Sequence, residues 1–255
     1  MTQQYLPILM YHKVLFGVSD NNYSISATAF EEQMHYLHEM GFQAITPDMI
    51  SELPSEDSKK IVMITFDDGH ETDFSVVSAI LSKFGLKAVF FVTTGLLGKE
   101  NYMSWEQVLQ LQKSGFSIQS HTHTHQLLGG IDKSLVEGEL SISKKLLHER
   151  LGRDSIALSL PGGSYSNATK QIALNLGYKY IFTSEPDRNT LNDAKRIFWG
   201  RVNIAKDVTF KKFKNVVDSD PSIFFKLRIL YKIKNYVRIR IGCRVYYSIW
   251  NKYFK

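Results

Sequence analysis

The chain has 255 residues, 44% hydrophobic and 22% charged, enough apolar material for a sizeable core and unlike any low-complexity or disordered composition. Its one cysteine, Cys243, excludes an intrachain disulfide and fits a reducing compartment. The net charge of +6 is uneven: residues 221–255 hold nine Lys/Arg and no Asp/Glu, while residues 1–220 hold 22 basic against 25 acidic residues, net −3.

The opening MTQQYLPILMYHKVLFG lacks the basic start of a signal peptide, and Pro7 and His12 interrupt its apolar run. No stretch reaches the roughly 18–20 apolar residues of a transmembrane helix. The expectation is a soluble, cytoplasmic protein.

Taken in chain order, strand-like runs fall at 6–11, 43–46, 61–66, 87–93, 116–119, 156–160 and 179–183. Helical patterns lie between them, and four end alike: Met40-Gly41-Phe42, Phe84-Gly85-Leu86, Ser114-Gly115-Phe116 and Leu176-Gly177-Tyr178. Glycine takes the left-handed conformation that closes a helix. Thr28-x-x-Glu31, Ser104-x-x-Gln107 and Ser134-x-x-Glu137 have capping-box spacing and predict helix starts. After Phe74, residues Val77, Ile80, Leu81 and Phe84 share one helical face. Several strands are apolar throughout, as strands covered on both faces are. Alternation of such strands with helices predicts a parallel sheet in a single α/β domain over residues 1–220. Without a Gly-rich dinucleotide fingerprint, a distorted or incomplete (β/α) barrel is preferred to a doubly wound sheet. Barrel chemistry gathers at the C-terminal ends of strands.

Two clusters follow strands. Asp67 and Asp68 come after 61–66, and His121 and His125, in SIQSHTHTH, come after 116–119. The two histidines, four apart, reach one ion if the backbone makes a helical turn, and Asp68 can add a third ligand. Two imidazoles and a carboxylate suit Zn²⁺ with a position left open for water. Iron(II) uses the same set. An adjacent base still helps to remove a proton from water, and Asp67 is placed for it. Seen alone, Asp-Asp-Gly also describes a turn, and a histidine-rich hexapeptide an exposed loop. Their joint placement after apolar strands favours a site, with His123 as a spare, structural or solvent-facing.

TFDDG (65–69) and HTHTH (121–125), with KAVFFVTTGLLG (87–98), MSWEQVLQL and SGFSIQSH between them, resemble the polysaccharide deacetylases, the NodB-homology or carbohydrate esterase family 4 enzymes. The likeness runs from about Leu6 to Ile204, and LPILMYHKV is similar to the circularly permuted exopolysaccharide deacetylase branch. The resemblance implies a distorted (β/α)₇ barrel. It also implies a metal-dependent hydrolase that removes N-acetyl groups from amino sugars of a polysaccharide or oligosaccharide, such as an N-acetylglucosamine-containing exopolysaccharide, releasing acetate. By motif, Asp67 is the base, and Asp68, His121 and His125 hold a divalent metal ion, Zn²⁺. The third motif, Arg-x-Pro-x-Gly, here reads Ser159-Leu160-Pro161-Gly162-Gly163, so its arginine is missing. Arg201 in GRVNI is the candidate replacement, against a plain surface arginine. The Gly162 N–H matches the family's oxyanion donor, against a glycine that only serves a turn. No histidine follows His148, so the family's late histidine is also missing, and His12 in MYHKV is the expected general acid.

Two other readings stand beside deacetylation. One is a catalytically degenerate glycan-binding module on the same fold, with Tyr102, Trp105 and Tyr165 stacking on sugar rings. The other is a metal-dependent C–N hydrolase of small molecules. The complete Asp-Asp and His-x-x-x-His sets weigh against the first. Residues 221–255 read as a basic amphipathic segment with two uses. It can meet an anionic membrane surface, making the protein peripheral at the inner face, or pack as a terminal helix on the barrel. No nucleic-acid motif accompanies its charge.

Overall fold

A computed structural model describes residues 4–17, 23–52, 60–191 and 196–241, so the end of the expected tail, 242–255, lies outside the described residues. Tyr5–Leu6 (β1) leads into Ile8–Tyr11 (β2), and Lys13–Leu15 (β3) pairs with Ser24–Ser26 (β4) beside the main sheet. Then come Ala27–Glu39 (α1), Gln43–Ala44 (β5) and Ile61–Asp68 (β6). A π-helical turn at Asp73–Val77 runs into Ser78–Lys83 (α2), followed by Val89–Val92 (β7), Trp105–Lys113 (α3), Ser117–Ser120 (β8) and Lys133–Leu151 (α4). The chain continues through Ala157–Ser159 (β9), Asn167–Asn175 (α5), Tyr180–Phe182 (β10) and Asn189–Thr190 (β11), which pairs antiparallel with β1. It ends with Phe198–Trp199 (β12), Val202–Asn203 (β13), Phe210–Val217 (α6) and Pro221–Ile241 (α7).

The main sheet has the order β12-β10-β9-β8-β7-β6-β2-β13, with parallel neighbours. Its two ends belong to one stretch of chain, 198–203. The first half of that stretch pairs with β10 and the second with β2, so the sheet curls into the distorted (β/α) barrel that the motifs implied. Gly200 sits at the changeover. A Cβ there would lie 2.4 Å from the Glu185 carbonyl oxygen, so only glycine lets the closing stretch pass this close to residues 185–187.

This closing segment was not among the expected strands. The expected strand at 43–46 shrinks to Gln43–Ala44, which pairs only with the start of β6. The remaining wall is 198–203, whose two-residue pairings around Gly200-Arg201 carry no legible periodicity.

The apolar strands are explained by their two covered faces. Ile8, Met63, Val89, Phe91, Ala157, Phe182 and Trp199 fill the barrel interior. Leu9, Ile64, Phe66 and Phe90 point outward beneath the helices, where Phe30, Met34 and Leu37 of α1 meet them. Alternate residues thus serve two cores, and a period-2 polar pattern never appears.

The four glycine stops hold, with φ of 70° at Gly41, 64° at Gly85, 88° at Gly115 and 83° at Gly177. Of the three expected starts, one holds. Ser104 and Gln107 cap α3 reciprocally, at 3.2 and 2.7 Å. Helix α1 is instead capped by Ser26, whose hydroxyl accepts from the Ala29 N–H, two residues before Thr28. Helix α4 begins after Asp132 rather than Ser134, with no side-chain cap bond.

Candidate active site

Strand β6 runs through Asp68, so the aspartates are its last two residues rather than residues beyond it. Consecutive strand side chains point to opposite faces. Asp68 escapes that rule because its φ is +82°, a left-handed conformation that a non-glycine residue holds only under constraint. This turn is what lets both carboxylates serve one site.

Asp67 lies on the barrel floor, buried. The missing third-motif arginine is replaced in space by Arg201, which is fully buried and not a surface residue. Its two guanidinium nitrogens donate to the two Asp67 oxygens, each at 2.7 Å. Arg201 also donates to Ser159 Oγ at 2.8 Å and to Thr65 Oγ1 at 3.1 Å, and Ser159 Oγ donates to Asp67 at 3.1 Å. The serine at the vacated motif position therefore bridges the new arginine to the carboxylate. Burial alone would raise the Asp67 pKa, but the Arg201 guanidinium together with His121 and His12 holds the carboxyl below its usual value.

Asp68 faces the histidines. Its Oδ1 lies 3.4 Å from His121 Nε2 and 3.2 Å from His125 Nε2, and the three donor atoms lie within 4.8 Å of one another. His121 Nδ1 is 2.9 Å from the Ser159 carbonyl oxygen. A carbonyl only accepts, so Nδ1 carries the proton and Nε2 offers its lone pair to the site.

This donor set fits a divalent cation. Asp68 Oδ1 is buried with no hydrogen-bond partner. Burial alone would lower the His121 pKa, yet the Asp67 and Asp68 carboxylates reverse this and raise it. Burial would likewise raise the Asp68 pKa, and the facing imidazoles of His121 and His125 hold it well down instead. The pocket thus favours positive charge among three convergent lone pairs, the demand that a hard or borderline metal satisfies.

The 121–125 loop is not the helical turn expected from the histidine spacing. Thr122 and His125 have φ of 66° and 63°, and the His125 N–H donates to Thr122 Oγ1 at 3.1 Å. The loop is held from beneath by α4. Glu139 accepts from the His123 and Thr124 N–H groups at 3.0 and 2.7 Å and also from the Thr124 hydroxyl. Four residues on, Ser143 Oγ meets Ser120 Oγ at 2.8 Å. Neither Glu139 nor Ser143 was singled out from the sequence. The available signal is their position on the buried stripe of α4, with Val136, Leu140 and Leu147. An acid on such a stripe needs an internal partner. His123 is structural as expected, its Nδ1 3.0 Å from Thr94 Oγ1.

His12 follows β2 at the same end of the barrel. Its Nδ1 is buried without a hydrogen-bond partner, and its ring lies 5.0 Å from that of Tyr23. Burial lowers its pKa, opposed by the nearby Asp68 and Asp67 charges. Gly162 lies in the tight turn Pro161–Gly163 just after β9, with φ +57°. Asp73, unforeseen, is fully buried beneath the Asp-Asp-Gly turn, and neither carboxylate oxygen has a partner. Burial, then Asp68 and Asp67, push its pKa well up. Of the aromatics, Trp105 packs on the core, whereas Tyr165 is half exposed and stacked on Phe198 at 4.7 Å.

Residues 55–181 match the polysaccharide deacetylase family model. The chain is also 34% identical over 184 residues to YxkH of Bacillus subtilis, a protein named for polysaccharide deacetylation, over 71% of this chain and 65% of that one. The chain belongs to the polysaccharide deacetylase family. Among its relatives, a poly-beta-1,6-N-acetyl-D-glucosamine N-deacetylase of Staphylococcus aureus is 27% identical over 187 residues, 67% of this chain and 64% of that one. The chain therefore matches just under two thirds of the length of these relatives. Among solved structures, the Streptococcus pyogenes deacetylase PplD, in complex with acetate, superposes with a TM-score of 0.77 at 25% identity, covering 85% of this chain and 99% of that one.

Proposed function

We propose that this deacetylase-family chain removes N-acetyl groups from amino sugars in a glycan of the N-acetylglucosamine exopolysaccharide class. It would use a divalent ion, Zn²⁺ by donor type, held by Asp68, His121 and His125. The observation that carries this reading is the division of labour between adjacent carboxylates: Asp68 aimed at two imidazoles, Asp67 clamped as an anion by Arg201.

What a divalent ion supplies in such a site is Lewis acidity towards an amide carbonyl and towards water. The chain's own groups do the rest. Asp67, kept ionised by Arg201, takes a proton from the attacking water, whose oxygen bonds to the acetyl carbon. The Gly162 N–H donates to the oxygen that becomes negative, a type of contact worth about 3 kcal/mol of transition-state stabilisation. His12 delivers a proton to the sugar nitrogen as the C–N bond breaks, since an unprotonated amine leaves poorly. The products are acetate and a free amino sugar.

The test is acetate release from β-1,6-linked N-acetylglucosamine oligomers, with and without a chelator. Release that stops with chelator and returns with Zn²⁺ supports the reading. Oligomer binding with no acetate release under any metal would establish a glycan-binding module instead.

A further inference from the structure

Helix α7 covers one face and leaves the other bare. Its beginning is seated: Phe224 is buried, and Ile223 and Leu227 pack against the main core beside α6. Arg228 approaches Glu185 and Asp187 at 3.9 and 3.5 Å. This much is the packing helix that the sequence allowed. On the opposite face Phe225, Ile229, Ile233 and Tyr236 recur at helical spacing, flanked by Leu230 and Val237, and all six are between 41% and 66% exposed. Water-facing helix surfaces are normally polar, and a contiguous apolar stripe of this kind marks a surface that something covers.

The charge identifies the cover. Residues 221–241 contain six Lys/Arg and no Asp/Glu, and no acid follows as far as residue 255. Lys226, Lys232, Lys234 and Arg240 are exposed on the same helix, and Lys226, Lys232 and Arg240 fall within or beside the stripe by helical spacing. A second copy docked face to face would set these cations against their equivalents. An anionic lipid surface neutralises them while the apolar side chains enter the headgroup boundary, and lysine and arginine stems are long enough to reach back to the phosphates. Among the described residues no helix is long and apolar enough to cross a membrane, so α7 would lie on the surface rather than span it.

We propose that α7 docks the barrel onto an anionic bilayer through Phe225, Ile229, Ile233 and Tyr236, with Lys226, Lys232 and Arg240 on the phosphates. This goes beyond the proposed reaction and does not depend on it.

The test is co-sedimentation of the full chain with phosphatidylcholine vesicles, either pure or about one third phosphatidylglycerol. The chain is expected to pellet with the anionic vesicles, stay in solution with the neutral ones and be released by salt. An Ile229→Asp/Ile233→Asp variant, checked for native circular dichroism, is expected to lose partitioning by at least about tenfold. Acetate release from a soluble oligomer should be unchanged. Absence of pelleting with anionic vesicles, or equal pelleting of the variant, overturns the proposal. So does a solution dimer that the same variant dissociates, which would assign the stripe to a second copy.

Discussion

The floor of the site and its rim are built from adjacent residues on opposite principles. On the floor, Asp67 and Arg201 have side chains 4% and 0% exposed and a two-pronged ion pair, supplied by β6 and the closing segment of the barrel. On the rim, Asp68 and His125 are 26% and 41% exposed, and their oxygen and nitrogen face one another without a hydrogen-bonded partner for Asp68 Oδ1. The floor fixes a charge with every partner in place. The rim gathers three donor atoms and leaves the Asp68 oxygen without a hydrogen bond. The difference teaches where rigidity is spent: Asp67 sits in a strand with every partner in place, and the two histidines that face Asp68 ride a loop braced by Glu139.

The sharpest way to break this comparison is at the rim. Asp68→Ala or His125→Ala is expected to abolish metal retention, read by elemental analysis after desalting, and with it all turnover. A variant that keeps stoichiometric metal would show that these side chains do not share an ion. The next effect belongs to the floor. Arg201→Met leaves the buried Asp67 carboxylate unpaired, which should cost about 3–5 kcal/mol of stability in denaturant unfolding. A loss below about 1 kcal/mol would mean that the pair is not buried in solution. Bracing comes third. Glu139→Gln keeps the shape but weakens the loop's hold, and metal affinity is expected to fall by about 10–100-fold with little change in the unfolding midpoint. An unchanged affinity would reduce Glu139 to packing.

The smallest effect concerns pH. Asp67 is held below its usual pKa by Arg201 acting against burial, and the Ser159 hydroxyl donates to the same charged form. In Ser159→Ala burial regains ground, the pKa rises, and the base form is lost at higher pH. The acid limb of kcat/KM should therefore move upward, while Ser159→Thr, which keeps a hydroxyl, should restore it. A limb that moves downward or stays fixed would separate Ser159 from the tuning of Asp67.

Much of this was legible in the chain. Glycine stops and doubly covered strands show themselves because local backbone chemistry fixes them, and His-x-x-x-His and Asp-Asp do because their spacing is local. What stayed hidden depends on long-range geometry. The closing segment around Gly200 pairs on two sides through two residues each, too short for any period to show. Arg201 meets Asp67 across 134 positions, and only the missing motif arginine hinted that a substitute must exist. The loop carrying the histidines looked like a helical turn because four-residue spacing is the helix's own. The left-handed Thr122 and His125, and the bracing by Glu139, belong to tertiary structure. The capping errors at Thr28 and Ser134 are offsets of two residues: at α1 the nearby Ser26 caps instead, and α4 starts after Asp132 without any side-chain cap.

One measurement bears most directly on the division of labour between the two carboxylates: metal content and acetate release determined together for Asp67→Asn. The account predicts a variant that binds metal as the unmodified protein does and turns over about 10²–10⁴-fold more slowly. Near-normal turnover with metal bound would contradict it, and so would loss of the metal itself, which would place Asp67 among the ligands rather than beside them.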